Sequence, residues 1–317
     1  MTIIHAMAID ASGRARMLDT ANAPLEGGEW RWLHLDRTSP DADTMLAALG
    51  IDADERAVLL SEETRPRHGE TEDGTIVILR GVNMNPGAAL HDTLALRLLL
   101  RPDLMVTLRR DPIFAVSDLA GRYRTGPGPA TPFELLAAIA QGLTRRIAQA
   151  VEGFDDRLDA LEEEAVTAFE QGLRERLLDL RRHILPVRRY ILPQRDALQR
   201  LSQASIDGLD TDTRDTLTHL ADETQRILET LDSLRERAAL LGEEIGAALA
   251  DRLNRNTYAL SIIAAIFLPL GFLTGLLGIN VGGIPGTENP AAFWIVVALC
   301  VASAALVIGL MRHARLM

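Results

Sequence analysis

Tyr258 to Leu277 reads YALSIIAAIFLPLGFLTGLL, 20 residues without a charged side chain, and Ala291 to Met311 is a second uncharged run of 21. At ~1.5 Å of rise per residue, each is long enough to cross the ~30 Å hydrocarbon layer of a bilayer as a helix. A helix in a soluble core is rarely so long and so apolar on every side. The two runs therefore set the architecture, two transmembrane helices at the C-terminal end of a charged chain. Arg252 and Arg255 precede the first run, Arg312 and Arg315 follow the second, and the loop 278–290 between them has no basic residue. The positive-inside rule then puts both termini in the cytosol and the loop outside.

The rest of the 317-residue chain is different in kind. The net charge is −11, and residues 1–257 alone carry −12. An acidic region repels phosphate backbones, which argues against nucleic-acid binding. It fits either simple solubility or a field that concentrates cations near a path for them. All 33 basic residues are arginine, so a phosphate-binding P-loop lysine and Schiff-base chemistry are excluded. The single cysteine, Cys300, rules out an intrachain disulfide and a multi-cysteine zinc site. Met1 to Met17 lacks the basic start and apolar stretch of a signal peptide. With no nucleophile–base pair and no metal-ligand constellation in the sequence, an enzyme is not expected.

Residues 1–130 read as an α/β cytosolic domain. Strand-like runs fall at Ile3–Ile9, Trp30–Leu35, Thr75–Val82 and Leu94–Leu108, the last divided by Arg101-Pro102-Asp103. Helical stretches fall near Asp41–Leu49, Asp54–Leu60 and Ile113–Tyr123. The Gly126–Pro129 stretch marks a boundary, and Thr131 with Glu134 resembles a capping box that opens a region of helices, 131–257. One helix carries Leu136, Ala140, Leu143, Ile147, Ala150 and Phe154. A second starts near Gly172, and Pro186 and Pro193 are expected to kink or break it. The third is a heptad series, Leu217, Leu220, Thr224, Ile227, Leu231, Leu234, Ala238, Leu241, Ile245 and Ala248. It reads as a coiled-coil stalk that needs partner chains to cover its seam and continues into the first span, opening the membrane part, 258–317.

Along that span, steps of three and four from Asn254 pick out Thr257, Ser261, Ala264, Leu268, Gly271, Gly275 and Gly278, all small or polar except Leu268. Ile262, Ile266, Phe267, Leu270, Leu273 and Leu277 form the opposite, bulky side. Small stripes let membrane helices approach closely, and polar ones also line water-filled paths; both readings are open here. Asp155, Asp156, Asp159, Glu162, Glu163, Glu164 and Glu170 crowd one helix, and a solvated face is the simpler reading. The histidines show no i, i+4 pairing, and none is assigned as a metal ligand.

After the first span come Gly278-Ile279-Asn280, and the loop continues Val281-Gly282-Gly283-Ile284-Pro285-Gly286. An L-G-x-N sequence at the end of the first of two C-terminal spans resembles the CorA-type metal-ion transporters, whose signature is G-M-N. The G-I-N-V-G-G-I-P-G string is similar to the ZntB-like zinc transporter branch, as are Glu62–Arg67 and Leu79–Asn83. The resemblance covers the whole chain. It implies a funnel-shaped homopentamer in the cytoplasmic (inner) membrane, surrounded by lipid, with five copies of the first span around one axial pore. Asn280 then belongs to an outer selectivity ring with Gly278 and Ile279, and Asn254, Thr257, Leu260, Ala264, Leu268 and Gly271 line the pore, Leu260 in place of Ser261. In magnesium-type members an acidic residue follows the loop proline; here Gly286 follows Pro285, and Glu288 stands two residues on. The resemblance implies transport of zinc as cargo, with no cofactor. The alternatives are a magnesium or cobalt transporter of the same fold, or a membrane-anchored coiled-coil scaffold or sensor without a pore. Direction and proton coupling do not follow from these residues.

Overall fold

The unbroken apolar run Ile76–Leu79 makes Thr75–Val82 a strand that can bury both of its faces, and it does. The structure is a computed structural model that describes residues 2–62, 64–88, 92–167, 172–278, 286 and 289–313. The chain divides into two compact units, 1–242 and 243–317.

In the first unit, seven strands make one sheet: β1 (Ile3–Ile9), β2 (Ala15–Met17), β3 (Trp30–Asp36), β4 (Arg67–Glu70), β5 (Thr75–Val82), β6 (Thr93–Arg101) and β7 (Leu104–Arg109). Their order is β2-β1-β3-β7-β6-β5-β4. β3 and β7 run parallel and the other neighbours antiparallel. Arg101 pairs with Leu104 across the Pro102-Asp103 turn, which splits the long apolar run into a hairpin. Successive residues point to opposite faces, so each strand feeds two cores. Met7, Ile9, Val77, Leu79, Leu96, Leu98 and Leu100 pack with α3 (Phe114–Thr125) and α4 (Pro132–Thr167). Ala6, Ala8, Leu33, Leu35, Ile76, Ile78 and Leu99 pack with α1 (Ala42–Ala48) and α2 (Ala53–Leu60). At Gly81 a Cβ would stand 2.7 Å from Leu143 Cδ2, so a larger residue there would push the Leu143 side chain of α4 aside.

The start of α4 is capped nearly as expected. The Glu134 amide donates to Thr131 Oγ1 at 3.1 Å, but the Glu134 carboxylate accepts from Ala130 N, one residue before the box position. Of the kink or break expected at Pro186 and Pro193, no break occurs, and α5 (Leu173–Gln203) is one helix through both. Each proline forfeits one backbone bond, at roughly 3 kcal/mol. The carbonyls left over belong to Arg182 and Arg189, both exposed residues, where water can reach them. Leu180, Ile184, Val187, Ile191 and Leu198 remain buried on the other side and hold the helix in place.

α6 (Thr211–Leu277) starts on Asp210, whose carboxylate accepts from the Thr213 amide and hydroxyl at 2.8 Å each. Its heptad positions from Leu217 to Leu241 are all 7% exposed or less. This corrects the expectation that partner chains must cover the seam. Arg237 of α6 is ion-paired with Asp155, Asp159 and Glu162 of α4, and Arg188 of α5 with Asp232 of α6. The three helices therefore cover one another within a single chain. Ala248 is exposed. The second unit holds the rest of α6 and α7 (Ala292–His313).

Candidate functional site

From Thr257 onward α6 carries no charge, and α7 carries none before Arg312. Both helices are long and apolar enough to cross a membrane, and their most apolar stretches have no buried residue within the chain. Phe267, Phe272, Phe293 and Trp294 are each about two-thirds exposed. A soluble surface does not tolerate such a continuous apolar patch, so lipid or further protein must cover it.

What little cover exists falls on one side of each helix. In the apolar stretch of α6 the half-buried residues are Ile262, Ile266, Pro269, Leu270 and Leu273; on α7 they include Val296, Cys300, Ala304, Val307 and Met311. This i, i+3, i+4 spacing is what two helices leave when they shield each other along a seam. The bulky side of α6 is thus the half-covered one, and the small and polar side stays open. Thr257, Leu260, Ala264, Leu268 and Gly271 are exposed, as is Asn254. At about 100° per residue, Thr257, Leu260, Leu268 and Gly271 fall within about 40° of Ala264, Ser261 about 60° away and Asn254 about 80°. Leu260 therefore sits nearer the centre of the stripe than Ser261, which stepping by three and four had picked. The Ser261 hydroxyl is turned inward and donates to the Thr257 carbonyl at 2.9 Å; Thr274 does the same to Leu270 at 2.9 Å. Such back-bonding satisfies a hydroxyl in an apolar medium. The open stripe carries no charge.

The Gly278 amide donates to the Thr274 carbonyl at 2.9 Å and closes the helix end. Ile279, Asn280 and Glu288 lie outside the described residues, as do Glu63, His91 and Glu170.

Two titratable features of the first unit have structural roles. The acidic face of α4 is neither bare nor purely solvated, since Asp155, Asp159 and Glu162 surround Arg237, whose pKa they raise. His34 is 2% exposed. Arg109 Nε donates to its Nε2 at 3.1 Å, which fixes the neutral tautomer with the proton on Nδ1, shared with Thr107 Oγ1 at 2.8 Å. Burial first, then the Arg109 charge, lowers the His34 pKa to about 3. Among the described residues, no three His, Cys, Asp or Glu side chains gather as a metal-binding group.

A family model described as CorA-like Mg2+ transporter protein matches residues 27–313. Over 268 residues, 83% of this chain and 80% of the other, the sequence is 38% identical to the divalent cation transporter CmaX of Pseudomonas aeruginosa. Over 290 residues, 90% of this chain and 87% of the other, it is 33% identical to the zinc transport protein ZntB of Yersinia enterocolitica. The structure of full-length CmaX superposes with a TM-score of 0.86 at 35% identity, covering 99% of this chain and 98% of that one. The CorA magnesium transporter from Methanocaldococcus jannaschii gives 0.82 at 21% identity, covering 98% of each chain, a likeness of fold.

Proposed function

Because the chain belongs to the CorA-like family of transporter proteins, we propose that it carries zinc across the cytoplasmic membrane through an axial pore built from five copies of α6. It is a divalent-cation transporter and not an enzyme. In this reading residues 1–130 are the cytosolic α/β domain, 131–257 the stalk and its flanking helices, and 258–317 the membrane part, with both termini cytosolic.

The observation that carries the pore is the two-sidedness of α6. Its bulky face is half-covered within the chain, while Thr257, Leu260, Ala264, Leu268 and Gly271 are left open along one line. Joining five copies along that line would give an uncharged lumen and leave the outer apolar residues to lipid. Gly278 and Asn280 would stand at its outer end, with Ile279 between them. Five amides can hold a hydrated divalent ion through its water shell without the charge that would trap it. Zn²⁺ is normally fixed by His or Cys. A lumen of Thr, Ala, Leu and Gly offers neither, so the ion would pass hydrated. Zinc as cargo is supported by the Gly278-Ile279-Asn280 loop and by the similarity to ZntB. Magnesium is the second reading, because the matching family model is described by that ion; the loop's Gly286, where magnesium-type members carry an acid, weighs against it.

The test is flux into liposomes containing the purified protein, comparing Zn²⁺, Mg²⁺, Co²⁺ and Ni²⁺ with and without a pH gradient. Zinc flux that excess Mg²⁺ does not suppress is expected. Magnesium flux indifferent to Zn²⁺ would overturn the zinc reading. Absence of flux for all four ions would leave a scaffold or sensor.

A further inference from the structure

Three arginines distant in sequence, Arg37, Arg80 and Arg97, line one cavity of about 350 Å³ in the first unit. That volume lies in the ~300–1,000 Å³ range of small-molecule sites. The sheet brings them together. Ile78 pairs with Arg97 and Arg80 with Ala95, so Arg80 and Arg97 are diagonal neighbours on one face of β5 and β6. Arg37 follows β3, its amide bonded to the Arg109 carbonyl at 2.8 Å.

Arg80 is held as a fixed wall. Its guanidinium donates to the Thr64 carbonyl and Thr93 Oγ1 at 2.8 Å each and lies 3.9 Å over the Tyr190 ring. The other two spend their hydrogen bonds on neutral groups. Arg97 donates to the Ser61 carbonyl at 2.7 Å and Arg37 to the Leu60 carbonyl at 2.9 Å. Among the described residues, neither has a carboxylate at ion-pairing distance. Arg97 is 2% exposed, and its Nε has no hydrogen-bond partner. Burial, with repulsion from Arg37 and Arg80, lowers its pKa to about 10, so it remains a cation at neutral pH. Carbonyl contacts tie the segment after α2 to the sheet, yet they leave a buried charge uncancelled. A buried cation without a counter-charge is costly. In a chain of net charge −11, such a cavity selects for something that supplies the missing anion.

We propose that this cavity binds a phosphoryl dianion, with the guanidinium groups of Arg37 and Arg97 receiving its oxygens. Of the four arginines and three carboxylates on the lining (Glu62, Asp92 and Asp111), Arg110 and Asp111 pair with each other at 3.3 Å. The two charges of Arg37 and Arg97, without an ion-pairing carboxylate among the described residues, fit the roughly −1.5 to −2 of a phosphate group at pH 7 better than the single charge of a carboxylate. The planar guanidinium fork also matches phosphate oxygens in pairs. The cavity has more room than one phosphate fills, and Glu62 and Asp111 on its lining would accept hydrogen bonds from the hydroxyl groups of an ester. An ester and free phosphate share the recognised chemistry, and the experiment separates them. The site does not depend on the transport reading.

The experiment is titration calorimetry and thermal melting of the full-length protein in detergent with glycerol 3-phosphate, orthophosphate, glycerol, and sodium chloride at matched ionic strength. Saturable binding of the phosphate-bearing probes, with none of glycerol, is expected. Tighter binding of the ester would identify an organic phosphate; tighter binding of orthophosphate, the free ion. Arg37→Gln should weaken binding about tenfold or more while the chain still melts cooperatively. Should that variant not fold, Arg37→Lys keeps the charge but not the fork and should still bind more weakly. No saturable response, a response that chloride reproduces, or wild-type affinity in a folded Arg37 variant would overturn the proposal.

Discussion

Replacing Leu231 with Ala distinguishes a seam covered within the chain from one covered between chains. Leu231 is fully buried, midway along the α6 heptads and one residue before Asp232, which pairs with Arg188 of α5. Truncation removes three carbon atoms from a site with neighbours on every side, and buried Leu→Ala changes cost ~2–5 kcal/mol once the cavity is counted. Taking about 3 kcal/mol, and ~2–4 °C per kcal/mol for a unit of this size, the melting temperature should fall by about 6–12 °C. Because the partners are α4 and α5 of the same chain, the fall should be the same at every protein concentration. The assay is circular dichroism melting of the full-length protein across a wide dilution series, with light scattering for mass. A loss that grows on dilution and tracks dissociation of the complex would refute intrachain cover, as would a melting temperature that does not move.

Ala264→Phe adds a ring at the centre of the exposed stripe, where no neighbour in the chain is displaced; flux should fall severely at unchanged oligomeric mass, and normal flux would remove the stripe from the pore. Asn280→Ala should abolish or severely reduce zinc flux, whereas near-normal flux through an intact Asn280→Gly oligomer would reduce Asn280 to a helix cap. His34 has a folded pKa of about 3, below its unfolded value, so it contributes stability above about pH 6.5 that is lost as pH falls toward 3. Between pH 6.5 and 5 the loss is about 2 kcal/mol at ~1.4 kcal/mol per unit. Denaturant melts should show it in the wild type and not in His34→Asn; equal losses in both would exclude His34 as the cause. Arg237→Gln should cost roughly 1 kcal/mol, since its partners are partly exposed, and less as salt rises. A loss independent of salt would point to packing instead.

The helices and the longer strands were legible because their periods are strong. Thr75–Val82 matches its strand to the residue, and the Arg101-Pro102-Asp103 break matches the hairpin between β6 and β7. β2 and β4 were missed because Ala15–Met17 is only three residues long, too short for its alternation to register, and Arg67–Glu70 has no apolar side chain. The heptads were read correctly as a buried seam but given the wrong partners. Periodicity states that a face is covered and not which helix covers it. The prolines of α5 misled for a related reason, since a local penalty was weighed without the packing on the far side. On α6 the stripe was legible, but stepping by three and four picks Ser261, whereas the helical angles about Ala264 favour Leu260, the residue that the resemblance implies. The arginine cavity was invisible in sequence, because Arg37, Arg80 and Arg97 meet through strand order alone.

The two rims of the sheet also limit how copies of this chain can meet. β2 contributes three residues and β4 four, with Arg16 and Arg67 both exposed. A growing β-assembly needs a long flat row of free backbone donors and acceptors to template the next strand. These rims are too short and too charged to serve. Contacts between copies are then left to side chains, because neither rim can recruit another copy by strand pairing.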